Sequence, residues 1–466
     1  MQVGIVIKGR VDNVLEAIGQ TPLVSLHRVI GSIKSPVWAK VEFLNPGGSI
    51  KDRMAIHIID KAEKEGRLKP GGTIVENTSG NTGVGVAMVA AVRGYRAIFT
   101  MPDKMSTEKI NLLKAYGAKV VITPTNVPAD SPESYYETAK RIHHETPGSF
   151  YLNQYHNPDN IEAHYVTTGP EIWEQTDGQI DCFIAGIGTG GTLSGAGRYL
   201  KEKNPNIKVI AVDPEGSVFY DWYQGKTKDQ LEPRAYKVEG IGEDMVVEAM
   251  DFSIVDDMVQ VDDKECFNMA RRLTTEEGLF GGGSSGGAVA GLVKYLSRND
   301  HFNCVVTVLP DSGTRYLSKI FSDEWMRDCG FLDEQPSLGT VDDMLADRHP
   351  DVITADADDK VFRVIETMKT KDISQLPVLD NGNVIGVINE SDLLNYMVTG
   401  SHRLVDPIRQ VVIRDVHRVS RSTTLADISE AFSSGRNMAL VVDNDQIAGI
   451  ITRIDLIDYL AKTFKE

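Results

Sequence analysis

Four stretches of the sequence carry residue types that could do chemistry, and all four are rich in glycine. The first, NPGGSIKDR at 45–53, places Lys51 where a loop gives way to an amphipathic stretch at 52–65. An amine at the start of a helix meets the positive end of the helix dipole, which disfavours its charge. A neutral amine is what a lysine needs to form a Schiff base, although the same spacing also suits a solvated lysine in a first turn. The second, TSGNTG at 78–83, follows a short apolar run and precedes a stretch of Ala, Gly and Val. Its backbone N–H groups and short polar side chains suit a small carboxylate, or equally a polar turn that caps a helix. The third, IAGIGTGGT at 184–192, lets the backbone approach a phosphate whose charge would rest on a helix N-terminus. Gly186, Gly188 and Gly191 also satisfy G-x-G-x-x-G, with Asp213 at the end of the next apolar run. That is nearly the whole dinucleotide fingerprint, yet the same loop would grip a single phosphate monoester. The fourth, GGGSSGG at 281–287, precedes an apolar helix. Together they imply a site assembled from several loops around an anionic ligand.

The elements that must position these loops are legible in the apolar pattern. Short apolar runs at 37–43, 73–75, 97–100, 120–123, 182–185, 209–212 and 305–309 read as strands, and stretches at 52–65, 83–93 and 107–116 as helices. Nearly continuous apolar strands separated by helices predict a parallel sheet covered on both faces, an α/β body. A polar segment with Pro and Gly at 333–339 reads as a linker. Beyond it the chain repeats itself: DN at 380–381 and VIGVINESDL at 384–393 return as DN at 443–444 and IAGIITRIDL at 447–456. Gly386 pairs with Gly449, Asp392 with Asp455 and Tyr396 with Tyr459, all at an offset of 63 residues, so the tail is a duplication read as helix, strand, turn, strand, helix. The domains expected are 1–335 for the body, with two α/β subdomains, and 336–466 for the tail, with repeats at about 340–400 and 401–466.

Composition bounds the partners. Lys and Arg total 49 against 66 for Asp and Glu, a net charge of −17 that argues against nucleic acid or an anionic membrane. Cys182, Cys266, Cys304 and Cys329 are widely spaced without CxxC, which predicts buried or free thiols in a reducing compartment and no metal site. No apolar run approaches the ~18 residues of a membrane span and the start lacks a signal-peptide layout, so a soluble, cytoplasmic chain is expected.

Lys51 in NPGGSIKDR, then TSGNTG, GTGGT and GGGSSGG in that order, resemble the fold-type II pyridoxal-phosphate enzymes of the cysteine synthase and cystathionine β-synthase group. The resemblance runs from VLEAIGQTP at 14–22 to DEWM at 323–326 and outweighs the dinucleotide reading. It implies that Lys51 is the catalytic Schiff-base lysine, that Asn81 bonds the ring hydroxyl of pyridoxal 5'-phosphate, and that Gly188, Thr189, Gly190, Gly191 and Thr192 hold its phosphate. Ser284 would face the pyridine nitrogen, with Ser285 as the substitute. Thr78, Ser79 and Thr82 would bind the substrate carboxylate beside Gln154 and Tyr155 of NQYH at 153–156.

The four loops do not separate the two branches of the group. YKVEGIGED at 236–244, with Gly240 and Gly242, resembles the homocysteine-side loop of the cystathionine β-synthase branch, as do PTN at 124–126 and DSPES at 130–134. The implied reaction is β-replacement joining L-serine, or an activated serine, to L-homocysteine to give L-cystathionine in transsulfuration. Hydrogen sulfide from cysteine is a further implied product, and cysteine synthase (O-acetylserine sulfhydrylase) is the alternative. The duplicated tail resembles a tandem CBS-domain (Bateman) module, which would take an adenosyl ligand (S-adenosylmethionine, AMP or ATP) through Thr452, Asp455 and Asp392. Its Asp residues would otherwise serve as helix caps. No haem is expected, because only about ten residues precede the catalytic pattern. A homodimer or higher homo-oligomer is expected.

Overall fold

In the computed structural model, residues 10–78, 80–103, 105–128, 131–332, 338–346, 352–399, 403–412, 416–436, 438–443 and 446–463 are described. The chain divides into two compact units, Met1–Asp333 and Glu334–Glu466.

The first unit opens with β1 (Leu23–Leu26) and β2 (Val37–Val41), then α1 (Lys51–Lys64), β3 (Thr73–Asn77) and α2 (Asn81–Arg93). β4 (Arg96–Pro102), α3 (Thr107–Ala115), β5 (Lys119–Thr123), α4 (Tyr135–Glu145) and β6 (Ser149–Tyr151) complete a four-stranded sheet ordered β5-β4-β3-β6, parallel throughout. There follow α5 (Asp159–Val166), α6 (Thr168–Gln175), β7 (Cys182–Gly186), α7 (Gly191–Lys203), β8 (Lys208–Pro214), α8 (Phe219–Tyr223), β9 (Asp257–Val261), α9 (Asp263–Glu277), α10 (Gly283–Leu296), β10 (Val305–Leu309) and α11 (Asp323–Asp328). They form a six-stranded sheet ordered β1-β2-β10-β7-β8-β9, parallel except for β1 against β2. Three separate hydrophobic clusters sit against the two sheets: one built on Ile74, Phe99 and Val86 against the four-stranded sheet, and two against the six-stranded sheet, on Ile184, Val212 and Val305 and on the alternate residues Phe183, Val209 and Val306. Every strand read from the sequence is present. The apolar pattern does not predict β1, β6 or β9: β6 has three residues, and β9, DMVQV, interrupts its apolar residues with Asp257 and Gln260 and buries only Met258 and Val261.

The second unit holds α12 (Val341–Leu345), β11 (Ala355–Asp356), α13 (Val361–Lys371), β12 (Gln375–Asp380), β13 (Asn383–Asn389) and α14 (Glu390–Val398). Then come β14 (Arg418–Val419), α15 (Leu425–Ser433), β15 (Met438–Asp443), β16 (Gln446–Thr452) and α16 (Arg453–Thr463). Each repeat is a three-stranded sheet, and the irregularity in the β12–β13 hairpin at Val378/Leu379 recurs between β15 and β16 at Val441/Val442. The leading strand of each repeat, β11 or β14, was missed because two residues give no readable alternation. α12 departs from the expected repeat boundaries: Val341, Met344 and Leu345 pack into the core of the second repeat, with Val419, Ile428 and Leu456. The polar linker at 333–337, and Asn444 of the repeated DN pair, lie outside the described residues.

Candidate active site

The four glycine-rich loops end β-strands or open helices of the first unit. Lys51 is the first residue of α1 and lines a cleft of about 370 Å³, counted with space open to solvent, together with Gly186, Gly188, Thr189, Gly190, Thr192 and Gly240. Burial lowers the pKa of its amine, opposed by the nearby charges of Asp311 and Glu243. The first turn of α1 is braced from behind. Arg53 donates from Nε to Glu42 Oε2 at 2.7 Å and from Nη2 to Glu42 Oε1 at 2.8 Å, and from Nη1 to Glu171 Oε1 at 2.6 Å. Lys40 Nζ adds bonds to Glu171 Oε2 at 2.7 Å and to the Thr21 carbonyl at 2.6 Å. Lys40, Glu42 and Arg53 are all buried, so the charges that fix α1 satisfy one another out of water.

The GTGGT segment opens α7. Gly190 takes φ = 82° as its N-cap, where a side chain would be strained. A Cβ on Gly188 would come within 2.7 Å of the Gly240 carbonyl oxygen, so the EGIG loop lies directly against this turn. The Gly242 N–H donates to the Ile187 carbonyl at 2.7 Å, which secures the same contact but leaves that N–H committed. Ser284 lies in the first turn of α10, buried, with its Oγ 3.5 Å from where a Cβ on Gly240 would stand. The neighbouring Ser285 hydroxyl is buried with no hydrogen-bond partner among the described residues.

Asn81 begins α2, and its Nδ2 donates to Asp311 Oδ2 at 2.7 Å, an oxygen that also accepts from the Tyr316 hydroxyl at 2.6 Å. Thr78 Oγ1 accepts the N–H groups of Gly80 and Gly83, so the TSGNTG turn is self-capped while the Thr78 hydroxyl keeps its proton to give. Thr82 Oγ1 donates to Gln154 Oε1 at 2.6 Å, which brings those two residues together. Glu76 clamps their segment by accepting from the N–H of Asn153 at 2.7 Å, and burial pushes its carboxyl up to about 8. Tyr155 is buried, with its ring 5.8 Å from that of Tyr136. Ser79 and Asp130 lie outside the described residues.

Asp311, Tyr316, Asn160 and His164 went unnoticed in the sequence, as did a bridge in which Glu239 of the EGIG loop pairs with Lys109 and, at 2.9 Å, with Lys319. These partners sit far apart along the chain, and apart from Glu239 none stands in a glycine-rich loop. Asp311 alone carried a usable signal, following the apolar run of β10 and Pro310. The acid of the dinucleotide fingerprint is committed elsewhere. Asp213 is buried, and its Oδ2 accepts the Tyr220 N–H at 3.0 Å in the turn that opens α8.

Comparison with known proteins fits this geometry. Residues 14–311 match the family "Pyridoxal-phosphate dependent enzyme", and residues 342–399 and 408–462 match the CBS domain. The cystathionine beta-synthase of Dictyostelium discoideum is 39% identical over 471 residues, covering 97% of this chain and 93% of its own length. That of Saccharomyces cerevisiae is 35% identical, covering 96% and 98%. The chain belongs to the cystathionine beta-synthase family. Among solved structures, an O-acetylserine dependent cystathionine beta-synthase from Helicobacter pylori is 37% identical with a TM-score of 0.61, covering 66% of this chain and 98% of that one. A hydrogen sulfide-producing enzyme from Fusobacterium nucleatum is 36% identical with the same TM-score, covering 66% and 100%.

Membership of this family makes the chain an enzyme that uses pyridoxal phosphate. The residues present fit that cofactor: an amine made easier to deprotonate lines the same cleft as a glycine turn at a helix N-terminus carrying two threonine hydroxyls.

Proposed function

We propose that the chain catalyses β-replacement between L-serine, or an activated serine, and L-homocysteine to give L-cystathionine. The observation that carries this reading is the cleft itself, which Lys51, the GTGGT turn and Gly240 of the EGIG loop line together. When bound, pyridoxal phosphate supplies the electron sink for negative charge at the α-carbon of an amino acid. Lys51 anchors the cofactor and then takes the α-proton on Nζ, a task served by an amine whose pKa burial has lowered. Thr189, Thr192 and the first N–H groups of α7 take the phosphate, Asn81 the ring hydroxyl, and Ser284 the pyridine nitrogen. Thr78, Ser79 and Thr82 bind the substrate carboxylate with Gln154, beside Tyr155. The EGIG loop, with Gly240 and Gly242, receives the thiol substrate, and Glu239, held by two lysines, fixes that loop.

Assays with serine, O-acetylserine, homocysteine and sulfide in every pairing test the reading. Cystathionine should form faster than cysteine from sulfide at equal substrate. The opposite ranking would make the enzyme a cysteine synthase. The relative from Helicobacter pylori is described as O-acetylserine dependent, so both amino-acid donors belong in the assay. Hydrogen sulfide release from cysteine belongs with the same chemistry, as the name of the Fusobacterium nucleatum enzyme suggests.

The tail is proposed to bind an adenosyl ligand, S-adenosylmethionine, AMP or ATP, at Thr452, Asp455 and Asp392. Asp455 Oδ2 accepts from the Thr452 N–H at 2.9 Å and from its hydroxyl at 2.5 Å, while Asp392 and Asn389 form a reciprocal capping box. A carboxylate held in this way is preorganised to accept from vicinal ribose hydroxyls. Asp455→Ala should abolish the heat of binding in isothermal titration of the full chain with the three nucleotides, beyond the ~1 kcal/mol a lost cap costs in stability. Unchanged binding would place the ligand elsewhere, and no heat with the unsubstituted protein would leave the module structural.

Self-association goes with this reading, because α14 exposes Leu394 and Val398 and α16 exposes Ile454 and Ile457. A cytoplasmic setting goes with four unpaired cysteines. Among the described residues no helix is long and apolar enough to cross a membrane, and no cluster could hold a metal ion.

A further inference from the structure

Thr189 and Thr192 can each offer the cleft one hydroxyl proton, and the groups behind them decide whether that proton is available. Behind Thr189 stands Asn160, whose Nδ2 donates to Thr189 Oγ1 at 3.1 Å and to the Gln154 carbonyl at 2.9 Å. Behind Thr192 stands His164, with Nε2 3.3 Å from Thr192 Oγ1 and Nδ1 2.8 Å from Thr168 Oγ1. The two residues are four apart on α5, hence on one face, and each is only 1% exposed. That face is pressed onto the start of α7: a Cβ on Gly191 would lie 2.2 Å from Asn160 Oδ1, and one on Gly195 2.8 Å from His164 Cβ.

The Asn160 amide nitrogen can only donate, so a Thr189 oxygen that accepts from it turns its own proton away, towards the cleft. Burial above all holds the His164 ring neutral, far below its ordinary pKa, so one of its nitrogens donates and the other accepts. If Thr168 donates to Nδ1, then Nε2–H donates to Thr192 and the Thr192 proton is likewise turned outward. With the other tautomer Thr192 would spend its proton on the ring and present lone pairs to an anion. We propose that Asn160 and His164 are positioning residues that orient the Thr189 and Thr192 hydroxyls as donors to the cofactor phosphate, His164 acting as its Nε2–H tautomer. This rests on the assignment of pyridoxal phosphate to the cleft.

The test uses the full chain freed of cofactor and titrated with pyridoxal phosphate and with pyridoxal, which lacks the phosphate. His164→Leu should weaken pyridoxal phosphate binding about tenfold and pyridoxal binding less than about twofold, the worth of one hydrogen bond to a charged group. On a Thr192→Val background the same substitution should change affinity less than about twofold, because no hydroxyl remains to orient. His164→Gln, which keeps an N–H donor, should restore most of the affinity. Asn160→Asp, which turns a donor into an acceptor, should weaken the phosphate ligand selectively through Thr189. Nitrogen-15 NMR of the histidine-labelled holoenzyme reads the tautomer without a core substitution, and Nδ1–H at His164 would overturn the proposal. Equal weakening of both ligands, or a tenfold effect that persists without the Thr192 hydroxyl, would reduce the pair to packing. An unsubstituted protein that binds pyridoxal phosphate no better than pyridoxal would instead overturn the cofactor assignment.

Discussion

Lys51→Ala should reduce kcat/KM for cystathionine formation by at least on the order of 10³-fold and abolish the visible absorption of covalently held cofactor. One side chain is asked both to anchor the cofactor and to move the α-proton, so its removal deletes two functions together. The fold should survive, because Lys51 lines the cleft and belongs to none of the buried apolar clusters of the first unit. Removing an amine that burial already penalises should leave thermal stability unchanged or slightly higher. Turnover within tenfold of the unsubstituted enzyme, with the absorption retained, would move the Schiff base to another lysine.

The largest stability effect should come from Glu42→Ala. It strips the buried Arg53 of a bidentate partner and leaves two cations, Arg53 and Lys40, facing the single carboxylate of Glu171. Removing one member of such a network costs about 3–5 kcal/mol, because the remaining charge has no water to turn to. Denaturant unfolding of the first unit reads this directly, and a shift below about 1 kcal/mol would mean that solvent reaches the cluster. The same network sets an acid limit. Burial alone would raise the Glu171 carboxyl, but Arg53 and then Lys40 outweigh it and hold the group at about 2 against an ordinary 4.5. A depressed carboxyl contributes fully above its unfolded value, so this stabilisation is complete above pH about 4.5 and is lost as the pH falls towards about 2. In Glu42→Ala the onset should stay at about pH 4.5 while the lower end of the window moves to lower pH, since two cations then face Glu171 with no second carboxylate beside it.

How far the sequence could be read depended on whether a feature is local. Strands such as β10 are continuous apolar runs, and the chemistry of the loops is concentrated in short glycine-rich words, so both were visible. The hairpin repeat was visible because its residues recur at a single offset of 63, and the structure shows the sheet irregularity copied along with them. What could not be read is what depends on partners brought together by folding. Glu42 and Glu171 stand 129 positions apart yet share one guanidinium, and Lys109, Glu239 and Lys319 meet from three separate segments. His164 is one of ten histidines in the sequence until α5 is laid against α7, and only then does it gain a threonine to orient. The placement of α12 was hidden for another reason. A five-residue helix next to a linker carries no sign of which of two similar cores it will join.

That placement gives the tail an unequal architecture under load. The module begins in α12 and ends in α16, and both contribute to a single core, that of the second repeat, through Val341, Leu345 and Leu456. The core of the first repeat is made wholly from the chain between them, from Ala355 to Ile408. The second repeat is therefore the frame and the first an insert hung on it. Tension between the two ends of the module is borne first by the second repeat, where α12 is held by Val341 N–H to the Thr423 carbonyl and by Asp342 against Arg421. No strain reaches the insert until that clasp has been pulled away. A single cut of the backbone between the repeats would likewise leave α12 clasped by contacts the cut does not touch, so the two pieces would stay fastened.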